Sequence, residues 1–173
     1  EIDDGVSIKS KDQTSQLIEN FLLVAERPVD KDTITYLRLL FNSLVRFIGD
    51  DFTPLSPVTV SEYEPNCFIS QKITGPITCT SSIDMESDVA IAFASRYAKM
   101  EFTEFDEYVQ ASLEDFLNLH NGLFTVNMSA NVSMELTLEP PMQVTDSVIK
   151  MDESTLIIPV IYTFGTIYLF LTI

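Results

Sequence analysis

Histidine and cysteine are scarce in this chain of 173 residues, which contains one histidine, two cysteines and no tryptophan. Cys67 and Cys79 are too few, and in no recognisable spacing, to form a disulfide framework or a zinc site. We predict that both thiols are reduced and half-buried in strands, which suits a cytoplasmic protein. No P-loop, glycine-rich nucleotide fingerprint or histidine-rich metal motif occurs in the sequence. The sequence therefore predicts no cofactor of its own.

Basic residues are scarce as well, because 10 Lys and Arg stand against 26 Asp and Glu, for a net charge of −16 at pH 7. Nucleic-acid binding needs Lys and Arg to displace counterions from the phosphate backbone, and binding to an anionic membrane surface needs a basic run. The composition predicts neither nucleic acid nor membrane as a partner. A basic or metal-bearing partner surface would suit this charge, although an acidic surface also simply keeps a protein soluble.

One hydrophobic run, residues 155 to 173, has a length near that of a membrane span. It contains Pro159, Gly165 and four threonines, and β-branched and aromatic residues dominate it. Gly165 lies near its middle, where a turn would fall. The pattern favours two buried antiparallel strands over a membrane helix.

The chain is long enough for a single domain with a short appendage, and 46% of its residues are apolar. Residues 1 to 13 are polar, and apolar residues at helical spacing predict a short helix over residues 14 to 26. We therefore separate an N-terminal segment, residues 1 to 30, from the main domain. Asp32 or Thr33 is predicted to cap a second helix, which runs to about Ile48 and is apolar on most sides.

Strand and helix patterns are mixed beyond residue 50. Residues 66 to 83 predict two strands joined by a turn at Gly75 and Pro76. A helix is predicted from about Glu86 to Lys99, and residues 132 to 140 alternate as in a half-exposed strand. This mixture of helices and antiparallel strands predicts an α+β domain built in layers.

A long helix is predicted over residues 104 to 128, with Thr103 as its cap and Asp106 completing a capping box. Its apolar residues form one stripe about 120° wide, which continues past the pair Asn121 and Gly122 without losing phase. That continuity favours one helix, although Asn-Gly is also a strong hairpin signal. His120 lies within the apolar stripe, so we predict a buried, hydrogen-bonded imidazole that takes no part in chemistry.

The opposite face of this helix carries Ala111, Asp115, Asn118 and Gly122. Asp115 and Asn118 are neighbours three residues apart, so they can offer an acceptor and an amide together. Gly122 leaves room for another backbone to approach, one turn beyond Asn118. On spacing alone, the same residues are also consistent with an ordinary solvated face.

The pattern Asp115-x-x-Asn118-x-x-x-Gly122 resembles the Glu-x-x-Asn motif of the CheC/CheX/FliY chemotaxis phosphatases. The resemblance is closest to CheX-like domains and extends over residues 33 to 173 of the predicted domain, residues 31 to 173, with FLNLHNGLF as its most specific string. It implies a layered α/β fold in which two long helices pack across a mostly antiparallel β-sheet. It also implies dephosphorylation of a phosphorylated, CheY-like response-regulator receiver, which itself supplies the aspartyl phosphate and Mg²⁺.

Site residues can be carried over from the resemblance one by one. Asn118 would orient the attacking water, and Asp115 would pair with the receiver's lysine. Asp115 is one methylene shorter than the family's Glu, and Glu114, four residues before Asn118, is the alternative anchor. Ala111 and Gly122, the small residues of the same face, would contact the partner.

The stretch corresponding to the second site of two-site relatives ends at Asn42 and contains no acid, which predicts one site per chain. The alternative function is a catalytically weak or inactive CheX-like module that binds a receiver or a flagellar switch component. The oligomeric state is left open, with a homodimer among the options.

Overall fold

A computed structural model describes residues 16, 18–20 and 30–173 of the chain. Residues 16 and 18–20 are helical, and Ile18 is buried against the core. The rest of the helix predicted over residues 14 to 26, and most of the N-terminal segment, lie outside the described residues.

Residues 30–173 form three helices and nine strands. The helices are α1 (Lys31–Phe47), α2 (Ser87–Ala98) and α3 (Glu107–Val132). The strands are β1 (Phe52–Pro54), β2 (Glu62–Tyr63), β3 (Ile69–Thr74), β4 (Cys79–Met85), β5 (Thr137–Leu138), β6 (Met142–Gln143), β7 (Ile149–Lys150), β8 (Leu156–Tyr162) and β9 (Gly165–Thr172).

The main sheet has the order β1-β8-β9-β4-β3-β5, with β6 also paired to β3, and every pair in it is antiparallel. One sheet face and the three helices share the main hydrophobic core. The small sheet β2–β7 covers part of the other face, where Phe68, Ile157 and Phe170 are buried. The predicted α+β layering is therefore confirmed.

The hydrophobic run at the end of the chain forms β8 and β9, as predicted, and no helix within the described residues is long and apolar enough to cross a membrane. Gly165 opens β9 with φ +140°, a conformation that residues with a Cβ rarely adopt. A Cβ at this position would also collide with Cγ2 of Val89 on α2. Glycine is therefore required here both for the turn and for close packing of the hairpin on α2.

Both cysteines are free, as predicted, but both are buried rather than half-buried. Cys79 opens β4 as a strand residue, whereas Cys67 lies before β3 and not in a strand. Burial raises the pKa of the Cys79 thiol to about 12 and also raises that of Cys67. The two thiols are thus held protonated at neutral pH.

Both predicted helix caps were misplaced. The side chain of Asp30, and not Asp32 or Thr33, caps α1 by accepting from the backbone N–H of Thr33 at 3.1 Å. Asp106, and not Thr103, caps α3 by accepting from two successive backbone N–H groups at 3.0 Å each. In each case an aspartate lies two or three residues before the N–H groups that need a partner, which is the geometry that a cap requires.

Helix α3 is also longer at its C-terminal end than predicted, and it ends at Val132, where Ser133 adopts a left-handed conformation. The helix takes up the first residue of the strand predicted over residues 132 to 140. Within that stretch only Thr137–Leu138 pairs as a strand, against Ile73 and Thr74 of β3.

Candidate functional site

Helix α3 passes through the pair Asn121 and Gly122 without a break, so the continuous helix is confirmed and the alternative turn is wrong. Its apolar stripe faces the core as the spacing predicts, with seven side chains at 0% exposure: Val109, Leu113, Phe116, Leu117, His120, Phe124 and Met128. The opposite face, which carries Asp115 and Asn118, is exposed.

Asp115 is exposed, and its carboxylate accepts a hydrogen bond from the hydroxyl of Tyr97 on α2. Burial, followed by the neighbouring Asp115 carboxylate, raises the pKa of Tyr97 above its usual range. The hydroxyl therefore keeps its proton at neutral pH and remains a donor. Tyr97 is itself held by edge-on contacts with Phe47 and Phe116, at centroid distances of 6.2 and 5.9 Å. Asp115 thus has an orienting partner on a neighbouring helix.

Asn118 is exposed as well, but its Oδ1 accepts from Nε2 of Gln71 on β3 at 2.7 Å. Gln71 is 1% exposed, so the amide of Asn118 is tied to the buried face of the sheet. Among the described residues no group accepts from Nδ2 of Asn118. The side chain therefore has one fixed end and one end available to a ligand.

Sequence reasoning missed Gln71 and Asn121, both of which are buried. Asn121 Nδ2 donates to Oε1 of Gln71 at 2.8 Å, so the two amides lie directly behind Asn118. The signal for Gln71 was its place between Ile69 and Ile73, because alternate residues of a strand share one face. The signal for Asn121 was its helical phase, within the apolar stripe.

The other predicted contact residues surround Asn118 on α3. Ala111 is exposed, and Glu114 is half-buried, with its carboxylate accepting from Nε2 of Gln110 at 2.9 Å. A Cβ placed on Gly122 would meet no atom within 4 Å, so the space beside this glycine is open. Nothing in the described fold therefore requires glycine at this position of the helix.

His120 is fully buried, as predicted, and its Nδ1 lies 3.2 Å from Oγ of Ser43 on α1. Its ring makes an edge-on contact with Tyr36 at a centroid distance of 4.9 Å. Nε2 has no hydrogen-bond partner among the described residues. Burial lowers the pKa of His120 to about 3, so the imidazole is neutral in the folded protein at neutral pH.

Asn42 lies on α1 and lines a groove of about 400 Å³ between α1 and α3, to which neither Asp115 nor Asn118 contributes. Arg46 and Phe47 from α1, and Leu123 and Val126 from α3, also line this groove. Leu39 stands three residues before Asn42, where the motif would require an acid. Within the described part of the chain, no group of three or more His, Cys, Asp or Glu residues is placed to hold a metal ion.

No protein-family model and no curated protein matches the chain. Its fold, in contrast, is similar to those of solved chemotaxis proteins. CheX from Desulfovibrio desulfuricans is 15% identical, with a TM-score of 0.67 over 82% of this chain and 98% of that one. CheX from Borrelia burgdorferi, solved in a complex with CheY, BeF3 and Mg, is 18% identical, with a TM-score of 0.64 over 80% and 94% of the two chains.

FliY from Thermotoga maritima is a more distant neighbour, at 11% identity and a TM-score of 0.54 over 94% of this chain and 91% of that one. Identities this low establish the fold alone. The chain has the CheC/CheX-type fold, so the fold expected from the resemblance is confirmed.

Proposed function

We propose that this protein is a CheX-like phosphatase of bacterial chemotaxis signalling, which hydrolyses the aspartyl phosphate of a CheY-like receiver. The observation that carries this proposal is the exposed pair Asp115 and Asn118 on the longest helix of a CheC/CheX-type fold. Both side chains are oriented by a hydrogen bond from a neighbouring element. The Borrelia CheX neighbour was solved with CheY, which supports a receiver as the partner.

The proposed reaction requires few catalytic groups from this chain, because an aspartyl phosphate is an activated acyl phosphate. A water molecule attacks phosphorus, the bond from phosphorus to the aspartyl oxygen breaks, and the products are inorganic phosphate and a free carboxylate. The proton lost by the water goes to phosphate. The receiver supplies the phosphoryl group and Mg²⁺, so fixing one water in line is the main task left to its partner.

Asn118 would perform this task through its amide. Gln71 occupies one lone pair of Oδ1, and a carbonyl oxygen has a second that can accept a hydrogen of the water. The two hydrogens on Nδ2 are available for a phosphoryl oxygen. Because an amide does not titrate near neutral pH, this positioning should not depend on a protonation step of Asn118.

Asp115 would anchor the lysine of the receiver. Tyr97 uses one acceptor position of the carboxylate, and an ionised carboxylate has about four such positions. A lysine ammonium can therefore bind without displacing Tyr97. Asp115 and Asn118 are one helical turn apart, so the lysine and the water would lie side by side.

Asp115 also favours the second candidate, a module that binds a receiver or a flagellar switch component without useful turnover. Its side chain is one methylene shorter than glutamate, and the bond to Tyr97 holds it near α2. If the receiver's lysine cannot reach it, docking would survive while the water is misplaced. Measuring binding and turnover separately distinguishes the two candidates.

The test uses phosphorylated receivers from the same organism, with phosphate release followed in the presence and absence of the protein. Release should accelerate, and Asn118→Ala should slow the accelerated rate by roughly 10²-fold, the range for one key polar group. Asn131→Ala is the matched control, because Asn131 is an exposed asparagine of the same helix, about 20 Å further along its axis. An unchanged rate in Asn118→Ala would remove the catalytic role. Binding of a BeF3-activated receiver with no acceleration of release would instead identify the docking module.

A further inference from the structure

A series of buried polar side chains, each hydrogen-bonded to the next and called the file below, runs inward from Asn118. Gln71 Nε2 donates to Asn118 Oδ1 at 2.7 Å, and Asn121 Nδ2 donates to Gln71 Oε1 at 2.8 Å. The hydroxyl of Tyr36 on α1 donates to Asn121 Oδ1 at 2.7 Å and is also hydrogen-bonded to Oγ of Ser81 on β4. Apart from Asn118, each of these side chains is at most 1% exposed. The file therefore joins two helices and two strands to one surface amide.

The backbone fixes the direction of this file. Gln71 Nε2 also donates to the carbonyl oxygen of Glu139 at 2.8 Å, and a carbonyl can only accept. The NH₂ group of Gln71 must therefore face Glu139, and its second hydrogen points to Asn118. That hydrogen requires an oxygen, so Oδ1 of Asn118 accepts from Gln71 with one lone pair, which leaves its second lone pair and both Nδ2 hydrogens for a ligand.

The inner end of the file agrees with this direction. Oε1 of Gln71 requires a donor, which Asn121 provides through Nδ2. Oδ1 of Asn121 then requires a donor, which is the hydroxyl of Tyr36. The phenol has one hydrogen, and it is used on Asn121, so Ser81 completes the arrangement through its own hydroxyl hydrogen. Each amide in the file is thus satisfied in one flip state only.

We infer that Gln71 is a positioning residue that holds the Asn118 amide in a single orientation, with Asn121 and Tyr36 holding Gln71 in turn. This inference rests on the proposed function, since it assigns the device that orients the water-directing amide. An exposed asparagine normally rotates broadly about its terminal torsion and samples both flip states. Gln71 removes that freedom before a receiver binds, and preorganisation of this kind favours the reacting geometry.

The kinetic test varies the concentration of phospho-receiver with Gln71→Met, which keeps a long unbranched side chain but has no N–H donor. The kcat should fall by roughly tenfold to a hundredfold, the range for a misplaced reacting group, with KM unchanged. Thr155→Val is the matched control, because it removes the hydrogen bond between the hydroxyls of buried Thr155 and Thr172, which has no link to Asn118. Its kcat should equal that of the wild type.

A double variant separates positioning from a general structural effect. If Gln71 acts through Asn118, adding Gln71→Met to Asn118→Ala should lower kcat no further. Losses that multiply would show that Gln71 acts by another route and would overturn the inference. An unchanged kcat in folded Gln71→Met would overturn it as well.

The Asn118 side-chain NH₂ signals in ¹⁵N NMR provide a readout that needs no activity and is decisive even when measured on the wild type alone. We expect a restricted Asn118 amide in the wild type, comparable with a backbone amide, and a mobile one in Gln71→Met. A freely mobile Asn118 amide in the wild type would overturn the inference even if Gln71→Met fails to fold.

The two proposals fail differently. If Asn118→Ala leaves phosphate release unchanged while its wild-type amide is rigid, the proposed phosphatase function fails and the orientation by Gln71 stands. If Asn118→Ala slows release while Gln71→Met does not, only the positioning role fails.

Discussion

The neutral, buried state of His120 makes the stability of this protein depend on pH in a way that one side chain controls. His120 is the one histidine of the chain, so in the unfolded state it is the one side chain expected to titrate near pH 6.5. In the folded state burial lowers its pKa to about 3. The unfolded chain therefore binds a proton between these two values that the folded protein does not bind.

The sign and size of the effect follow from this difference. Stability contributed by the neutral imidazole is fully present above pH 6.5 and is lost progressively as the pH falls toward 3. A pH of 5.0 lies about 1.5 units below the pKa of histidine in the unfolded state, and each unit stabilises the protonated unfolded state by about 1.4 kcal/mol. His120 should therefore lower the free energy of unfolding by about 2 kcal/mol between pH 7.5 and pH 5.0.

Urea unfolding at pH 7.5, 6.5, 5.5 and 5.0 measures this loss, with His120→Leu as the reference because leucine is buried without titrating. Subtracting the variant from the wild type removes contributions from other groups, including Asp84, whose pKa burial raises. The free energy of unfolding of the wild type minus that of His120→Leu should fall by about 2 kcal/mol from pH 7.5 to pH 5.0. A difference that does not change with pH would show that the folded protein protonates His120 readily. The assignment of a buried, neutral imidazole would then be wrong.

Other variants test the surface around Asn118 and the packing behind it. Asp115→Ala should lower the rate of phosphate release and the receiver affinity, and Asp115→Glu should raise one or both. Glu114→Ala should have little effect. A loss in Glu114→Ala with no loss in Asp115→Ala would make Glu114 the anchor. Gly122→Ala should raise the free energy of unfolding by about 1 kcal/mol in urea, because the added Cβ meets open space, yet weaken receiver binding. Unchanged binding would remove Gly122 from the interface. Gly165→Ala should lower the free energy of unfolding by more than about 1 kcal/mol, because the residue has φ +140° and contacts Val89; an unaltered urea midpoint would refute this packing argument.

The periodicity of α3 was enough to predict which side chains face the core and which remain exposed. Asp115, Asn118 and His120 occupy the sides of the helix that their spacing indicates, because a long stripe of apolar residues defines the phase. The helix caps were harder to predict. Thr103 and Asp106 are both good N-cap residues, and the choice between them depends on where the connection from α2 turns into α3.

The side chains that hold Asn118 in place could not be predicted from the sequence, because they come from parts of the chain that are far apart in sequence. Gln71 and Asn118 are 47 residues apart, and Tyr36 and Asn121 are 85 residues apart. Their pairing depends on the register of the sheet and on how the helices cross it, and local sequence determines neither. Polar residues in core phase, such as Gln71 and Asn121, are the local signs of such a file, but they do not identify its members.

The burial of both native thiols has a practical consequence for experiments on this protein. Cys67 and Cys79 are at most 5% exposed, and burial raises the pKa of both, so little thiolate is available for alkylation. A cysteine introduced at exposed Asn131 would then be the one thiol that reacts under native conditions, without prior removal of the others. A dye or a surface tether attached there lies about 20 Å along α3 from Asn118. Receivers could be screened against the immobilised protein with the Asn118 face unobstructed.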